Sequence, residues 1–106
     1  MEDSFVSLVR DRAKKEIIFT EHALDRMNQQ SEIVTPGEVR EVVFDGEVIE
    51  DYPEDKRGHS CLMYGKTVKE RPLHVVCSPK EEYLGIITVY VPTLEDWKED
   101  FKTRRS

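Results

Sequence analysis

His22 and Arg26 stand four positions apart in the stretch Glu21-His22-Ala23-Leu24-Asp25-Arg26-Met27. On a helix that interval places both on one face, one turn apart. An imidazole beside a guanidinium puts a proton-transfer group next to an anion holder. Histidine's reference pKa lies near neutrality, and arginine's planar fork binds two oxygens at once. The plainer reading is a helix surface whose histidine hydrogen-bonds to the sheet. His74 is the second candidate. On a strand flanked by Tyr64 and Tyr90 it would line a cleft with acid–base capability, or else form a half-buried polar cluster under the last element. Arg57 and His59 fall in a polar loop, where a solvated turn competes with an anion-binding role. Arg104 and Arg105 close the chain and could either reach an anionic ligand or complement the negative end of a helix.

Metal and thiol chemistry are less well supported. His22, His59, His74, Cys61 and Cys77 supply nitrogen and sulfur donors, but no C-x-x-C or H-x-x-x-H spacing joins them. Strand alternation turns Cys61 and Cys77 toward the core, away from His74, where an apolar setting raises a thiol's pKa and blunts it as a nucleophile. The expectation is no metal site and no cofactor.

The elements that must position these groups follow from periodicity. Residues 4–16 carry Phe5, Leu8, Val9 and Ala13 on one helical stripe. Ile17-Ile18-Phe19 is apolar throughout and reads as a short buried strand or connector. Thr20 caps a second helix whose Ala23, Leu24 and Met27 face inward. Thr35-Pro36-Gly37-Glu38 predicts a capping box with proline at the first helical position, opening a helix that buries Val39, Val42 and Val43 and stops at Asp45-Gly46. Strands are predicted over 47–52, 60–65, 73–77 and 84–91, because each run is β-branched or aromatic and bounded by turn residues. After Pro92, Thr93 would cap a last helix through Leu94, Trp97 and Phe101.

Alternation assigns Leu73, Val75, Cys77, Ile87, Val89 and Val91 to the helix-facing side of the hairpin. The other side takes His74, Val76, Ile86, Thr88 and Tyr90, joined by Tyr64 if the 60–65 strand folds back in register. The predicted fold class is α+β: N-terminal helices packed on a four-stranded antiparallel meander and closed by a C-terminal helix.

With 106 residues the chain is expected to form a single domain over 1–106. Its 16 basic and 22 acidic residues leave a net charge of −6, which argues against a broadly basic nucleic-acid binder, so any such contact must rest on a local patch. No apolar run approaches the roughly 20 residues of a membrane span. The start Met1-Glu2-Asp3-Ser4 lacks a signal peptide's basic and apolar regions, so the expected location is cytoplasmic, with no membrane partner.

Several segments jointly resemble the prokaryotic family catalogued as domain of unknown function 4258: His22-Ala23-Leu24-Asp25-Arg26, the helix start at Thr35–Val39, Gly46–Pro53, Pro72–Val76, Ile87–Tyr90, and Trp97 with the basic tail. The resemblance covers residues 17–105 and leaves 1–16 as an extra N-terminal helix. More distantly, the order of helices, meander and helix resembles the RelE/BrnT-like toxin superfamily of small ribonucleases paired with antitoxins. That resemblance implies a metal-independent endoribonuclease. His22, Arg26, His74 and Tyr90 would be its catalytic group, and Tyr64, Thr88, Arg57, Arg104 and Arg105 would bind substrate. RNA and a cognate antitoxin protein would be its partners. Two features depart from the superfamily: the chain is acidic where those toxins are basic, and Gln30-Ser31-Glu32 stands where an Arg-Gly turn is expected. The alternative is a non-catalytic protein-binding module that uses the same cleft or an exposed strand edge.

Overall fold

A computed structural model describes residues 4–106, and the Met1-Glu2-Asp3 start that entered the cytoplasmic expectation lies outside them. Helix α1 (Ser4–Lys15) leads to strand β1 (Ile17–Phe19), then α2 (Glu21–Gln29) and α3 (Pro36–Asp45). Four strands follow: β2 (Glu47–Tyr52), β3 (Ser60–Lys66), β4 (Pro72–Pro79) and β5 (Leu84–Tyr90). The sheet is five-stranded in the order β1-β5-β4-β3-β2. β2 to β5 form the expected antiparallel meander, and β1 adds a parallel edge strand beside β5, pairing Ile17 with Leu84 and Phe19 with Ile86. The fold is therefore α+β with a mixed sheet. A three-residue strand has no pattern of its own from which its partner could be read; only its docking on β5 decides its direction.

Helix α3 forms as the local chemistry dictates. Thr35 Oγ1 accepts the Glu38 amide at 3.2 Å while a Glu38 carboxylate oxygen accepts the Thr35 amide at 3.1 Å. Arg71 also reaches Glu38, at 3.1 Å. Burial alone would raise the Glu38 pKa, but the Thr35 amide and the Arg71 charge together hold it below the ordinary range.

One face of the sheet is sealed by the helices. Val9 and Ala13 of α1, Ala23 and Met27 of α2, and Val39, Val42 and Val43 of α3 are buried with Cys61, Met63, Leu73, Val75, Cys77, Leu84, Ile86 and Val89. Cys61 and Cys77 sit opposite each other in register with their sulfurs 4.0 Å apart. The hydrogen bond to Cys61, with burial, pushes the Cys77 thiol well above its usual pKa. Leu8 and Leu24, expected to face inward, are 37% and 43% exposed. Each sits at the margin of its helical stripe, and the small sheet leaves only the central residues covered.

Strand β5 carries a bulge that sequence alternation does not show. Val76 pairs with Thr88, but Cys77 pairs with Ile86, so Ile87 is the extra residue. Ile86 thereby joins the helix-facing core and Ile87 leaves it, the reverse of the expected assignment for these two residues. Val75 with Val89 and His74 with Tyr90, beyond the bulge, keep the expected register.

The predicted C-terminal helix does not form. One turn closes where Trp97 N donates to Thr93 O at 3.0 Å. Asp100 Oδ1 then takes the amides of Lys102 and Thr103 at 2.8 and 3.0 Å, a local side-chain arrangement that competes with helix hydrogen bonding. Phe101 adopts φ 58°, and Trp97 bridges back to Arg104. The segment crosses the sheet face opposite the helices, so Trp97 is buried against His74 and not among the helix-facing residues where a C-terminal helix was expected to place it.

Candidate functional site

α2 is seated by the bulge. Thr20 Oγ1 accepts the Ala23 amide at 3.0 Å as the helix cap and donates to the Ile87 carbonyl at 3.0 Å, while Thr20 N donates to Ile86 O. Gln30 at the other end accepts the Val91 amide at 3.1 Å. α2 therefore runs along β5 where β1 ends, Ala23 and Met27 inward, with His22 exposed and Arg26 half-buried. His22 opens into one groove and Arg26 into another.

The first groove, of about 350 Å³, is lined by Ile18, Phe19, Thr20, His22, Arg57, Ser78, Lys80, Tyr83, Gly85 and Ile87. No carboxylate lines it, in a chain whose net charge is −6. Arg57 is held by Asp55 through Nε at 3.1 Å and a terminal nitrogen at 3.0 Å, while the Lys80 ammonium donates to the Arg57 carbonyl. The hydrogen bonds from Arg57, with one from Ser60, draw the Asp55 carboxyl far below its ordinary pKa. Lys80, Tyr83 and Ser78 were not among the residues singled out in the sequence. Their only signal is a lysine and a tyrosine bracketing the turn between β4 and β5.

The second groove, of about 420 Å³, is lined by Arg26, Tyr90, Val91, Thr93, Glu95, Asp96, Trp97, Arg104, Arg105 and Ser106. Arg26 lies over the Tyr90 ring, 5.4 Å from its centre. Arg104 is committed to Glu50 through two bonds of 2.7 and 3.0 Å and stacks over Trp97 at 4.6 Å. This pairing lowers the Glu50 pKa and raises that of Arg104, while burial and the Glu50 bond push Tyr52 up to about 12. Arg105 ties the tail together by donating to Trp97 O at 2.9 Å.

His74 lies beneath this second groove and is fully buried. Its Nε2 is 2.7 Å from the Phe101 carbonyl, which can only accept, so Nε2 carries the proton. Nδ1 accordingly accepts from the Tyr90 hydroxyl at 3.1 Å. Trp97 meets the ring edge-on at 4.4 Å, Tyr90 at 5.2 Å and Tyr64 at 5.8 Å. Burial lowers the His74 pKa despite the Phe101 bond and the nearby Glu50. With both ring nitrogens engaged, His74 holds the C-terminal segment to the sheet. Thr88 lines neither groove, and its buried hydroxyl has no partner among the described residues.

The expected residues thus divide. His22 and Arg57 meet in the first groove; Arg26, Tyr90, Arg104 and Arg105 meet in the second, with His74 and Tyr64 below it. His59 instead stacks on Phe5 of α1 at 3.7 Å and meets Asp51 at 2.5 Å. Among the described residues no three His, Cys, Asp or Glu side chains are grouped as metal ligands would be, and no helix is long and apolar enough to cross a membrane.

Three helices on a mixed five-stranded sheet, with α2 presenting His22 to one groove and Arg26 to another, define an α+β protein. The chain belongs to the family described as Domain of unknown function (DUF4258), which it matches over residues 19–91. No curated protein matches it. No solved structure does so either.

Proposed function

We propose that the protein is a small metal-independent endoribonuclease of RelE/BrnT-like type, acting in the cytoplasm and held in check by a cognate antitoxin. The observation that carries this reading is α2. His22 and Arg26 lie one turn apart, neither makes an ion pair among the described residues, and each opens into a groove with further cations. His22 would take the proton of the ribose 2′-hydroxyl, whose oxygen attacks the adjacent phosphorus. Arg26 would hold the phosphate, aided by Lys80 or by Arg105 depending on how the strand lies. The departing 5′-oxygen needs a proton, and Lys80 and Tyr83 line the groove that His22 enters.

Incubating purified chain with total RNA, with and without chelator, tests this. Cleavage by wild type in both conditions, reduced by about 10²–10⁴-fold in His22→Ala, is the expected result. Intact RNA under all conditions rejects the reading.

A non-catalytic protein-binding module is the second reading, and a different observation favours it. Ile33 and Val68 are 58% and 87% exposed, on segments joined by the Lys69–Glu32 ion pair and by the Arg71 bond to Ile33 O. Exposed apolar side chains on two linked segments are what a protein partner would cover.

A further inference from the structure

The first groove has a floor that its own backbone does not require. Ile18, Gly85 and Ser78 are register partners across β1, β5 and β4, so they form one row on the sheet face away from the helices. Gly85 sits in the middle of that row. It lies inside a strand and does not adopt the left-handed conformation that only Gly58 shows among the glycines. A side chain there would meet nothing closer than the Ser78 carbonyl and the Tyr83 ring, both at 3.6 Å, then the Lys80 stem at 3.9 Å. These are ordinary contacts, so a β carbon fits. Glycine in a strand interior weakens the strand, and its recurrent use there is to let another group come close. The missing side chain is what leaves the groove open.

What can lie there follows from the walls. Ile18, Ile87 and the Tyr83 ring present apolar and aromatic surface, while Lys80, His22 and Arg57 stand among the lining residues without any carboxylate. A flat apolar body carrying one anionic group is complementary to both parts. In nucleic acids that combination is a single unpaired nucleotide: the base has a π-face for the tyrosine and the phosphate carries the charge.

We propose that this groove holds one unpaired nucleotide, its base over Gly85 beside Tyr83 and its phosphate at Lys80, which leaves His22 free to face the ribose. This deepens the ribonuclease reading and rests on it for the choice of nucleotide over other aromatic anions. The groove selects unpaired over duplex strands, since a base inside a duplex cannot present its face to Tyr83.

Titration of the full chain with adenosine monophosphate and uridine monophosphate, followed by amide chemical shifts, tests the proposal. Adenosine and inorganic phosphate serve as the partial probes. Shifts should centre on Lys80, Tyr83 and Gly85, with each nucleotide binding more tightly than either partial probe. Gly85→Val fills the floor and should weaken nucleotide binding at least about tenfold. Lys80→Gln should weaken the nucleotides by a similar factor but leave adenosine unchanged. Nucleotide shifts elsewhere, or undiminished binding by Gly85→Val, overturns the proposal. RNA cleavage assayed on the same variants separates the two claims. Cleavage that Gly85→Val leaves untouched removes the groove and keeps the ribonuclease. Nucleotide binding that depends on Gly85 beside intact RNA removes the ribonuclease and keeps the groove.

Discussion

Replacing His74 with phenylalanine isolates what its two hydrogen bonds contribute, because the ring contacts with Trp97, Tyr90 and Tyr64 are largely kept. The variant strands the Phe101 carbonyl and the Tyr90 hydroxyl, bonded at 2.7 and 3.1 Å in the wild type. A buried polar group left unpaired costs about 1–3 kcal/mol, and Tyr90 is half-buried and can turn to water, so the expected loss is about 2–4 kcal/mol. His74→Ala also empties the space between three rings and should cost about 3–5 kcal/mol. For a domain of this size either is a large share of the total.

The pH dependence is the sharper test. Burial makes the folded pKa of His74 lower than the ordinary 6.5, so the unfolded chain binds more protons between the two values. The His74 contribution is therefore fully present above the unfolded pKa and is lost as pH falls through the folded one. Wild-type urea midpoints should decline from about pH 7.5 downward. The carboxylates Glu38 and Glu50, whose folded pKa values lie below the ordinary 4.5, add their own loss only at lower pH. In His74→Phe the upper part of this decline should disappear. A variant with the wild-type slope between about pH 7 and pH 5 would refute the assignment of a buried neutral imidazole.

Val89→Ala, fully buried in the helix-facing core opposite Val75, should lower stability by about 1–3 kcal/mol, and an unchanged unfolding midpoint would mean the sheet faces are reversed. Cys61 and Cys77 should both resist thiol reagents in the folded protein and react promptly in denaturant, because both are buried and the Cys77 thiol is held protonated; fast labelling of either in native buffer would contradict their placement.

Local chemistry alone determined a good deal of this protein. The capping box of Thr35 and Glu38 is complete within four residues, so α3 begins where its sequence says it must. The β-branched runs set β2 to β5 as strands, and the polar turns between them set their antiparallel order. The facing pairs Cys61–Cys77 and Tyr64–His74–Tyr90 then follow from alternation. The family was likewise legible from its scattered short motifs.

Other features depended on contacts between segments distant in sequence. β1 takes its direction from β5, and the Ile87 carbonyl at the bulge accepts a hydrogen bond from Thr20 Oγ1, a contact between residues 67 positions apart. That single extra residue exchanges the faces of Ile86 and Ile87. Leu94, Trp97 and Phe101 recur at helical spacing, yet Asp100 captures the amides that a helix would need and His74 binds the Phe101 carbonyl. Periodicity cannot weigh those bonds against a helix. The site divides for the same reason: His22 and Arg26 share a helix face, but the two grooves they enter are built by the β4–β5 turn and by the C-terminal segment, which meet α2 only in the folded chain.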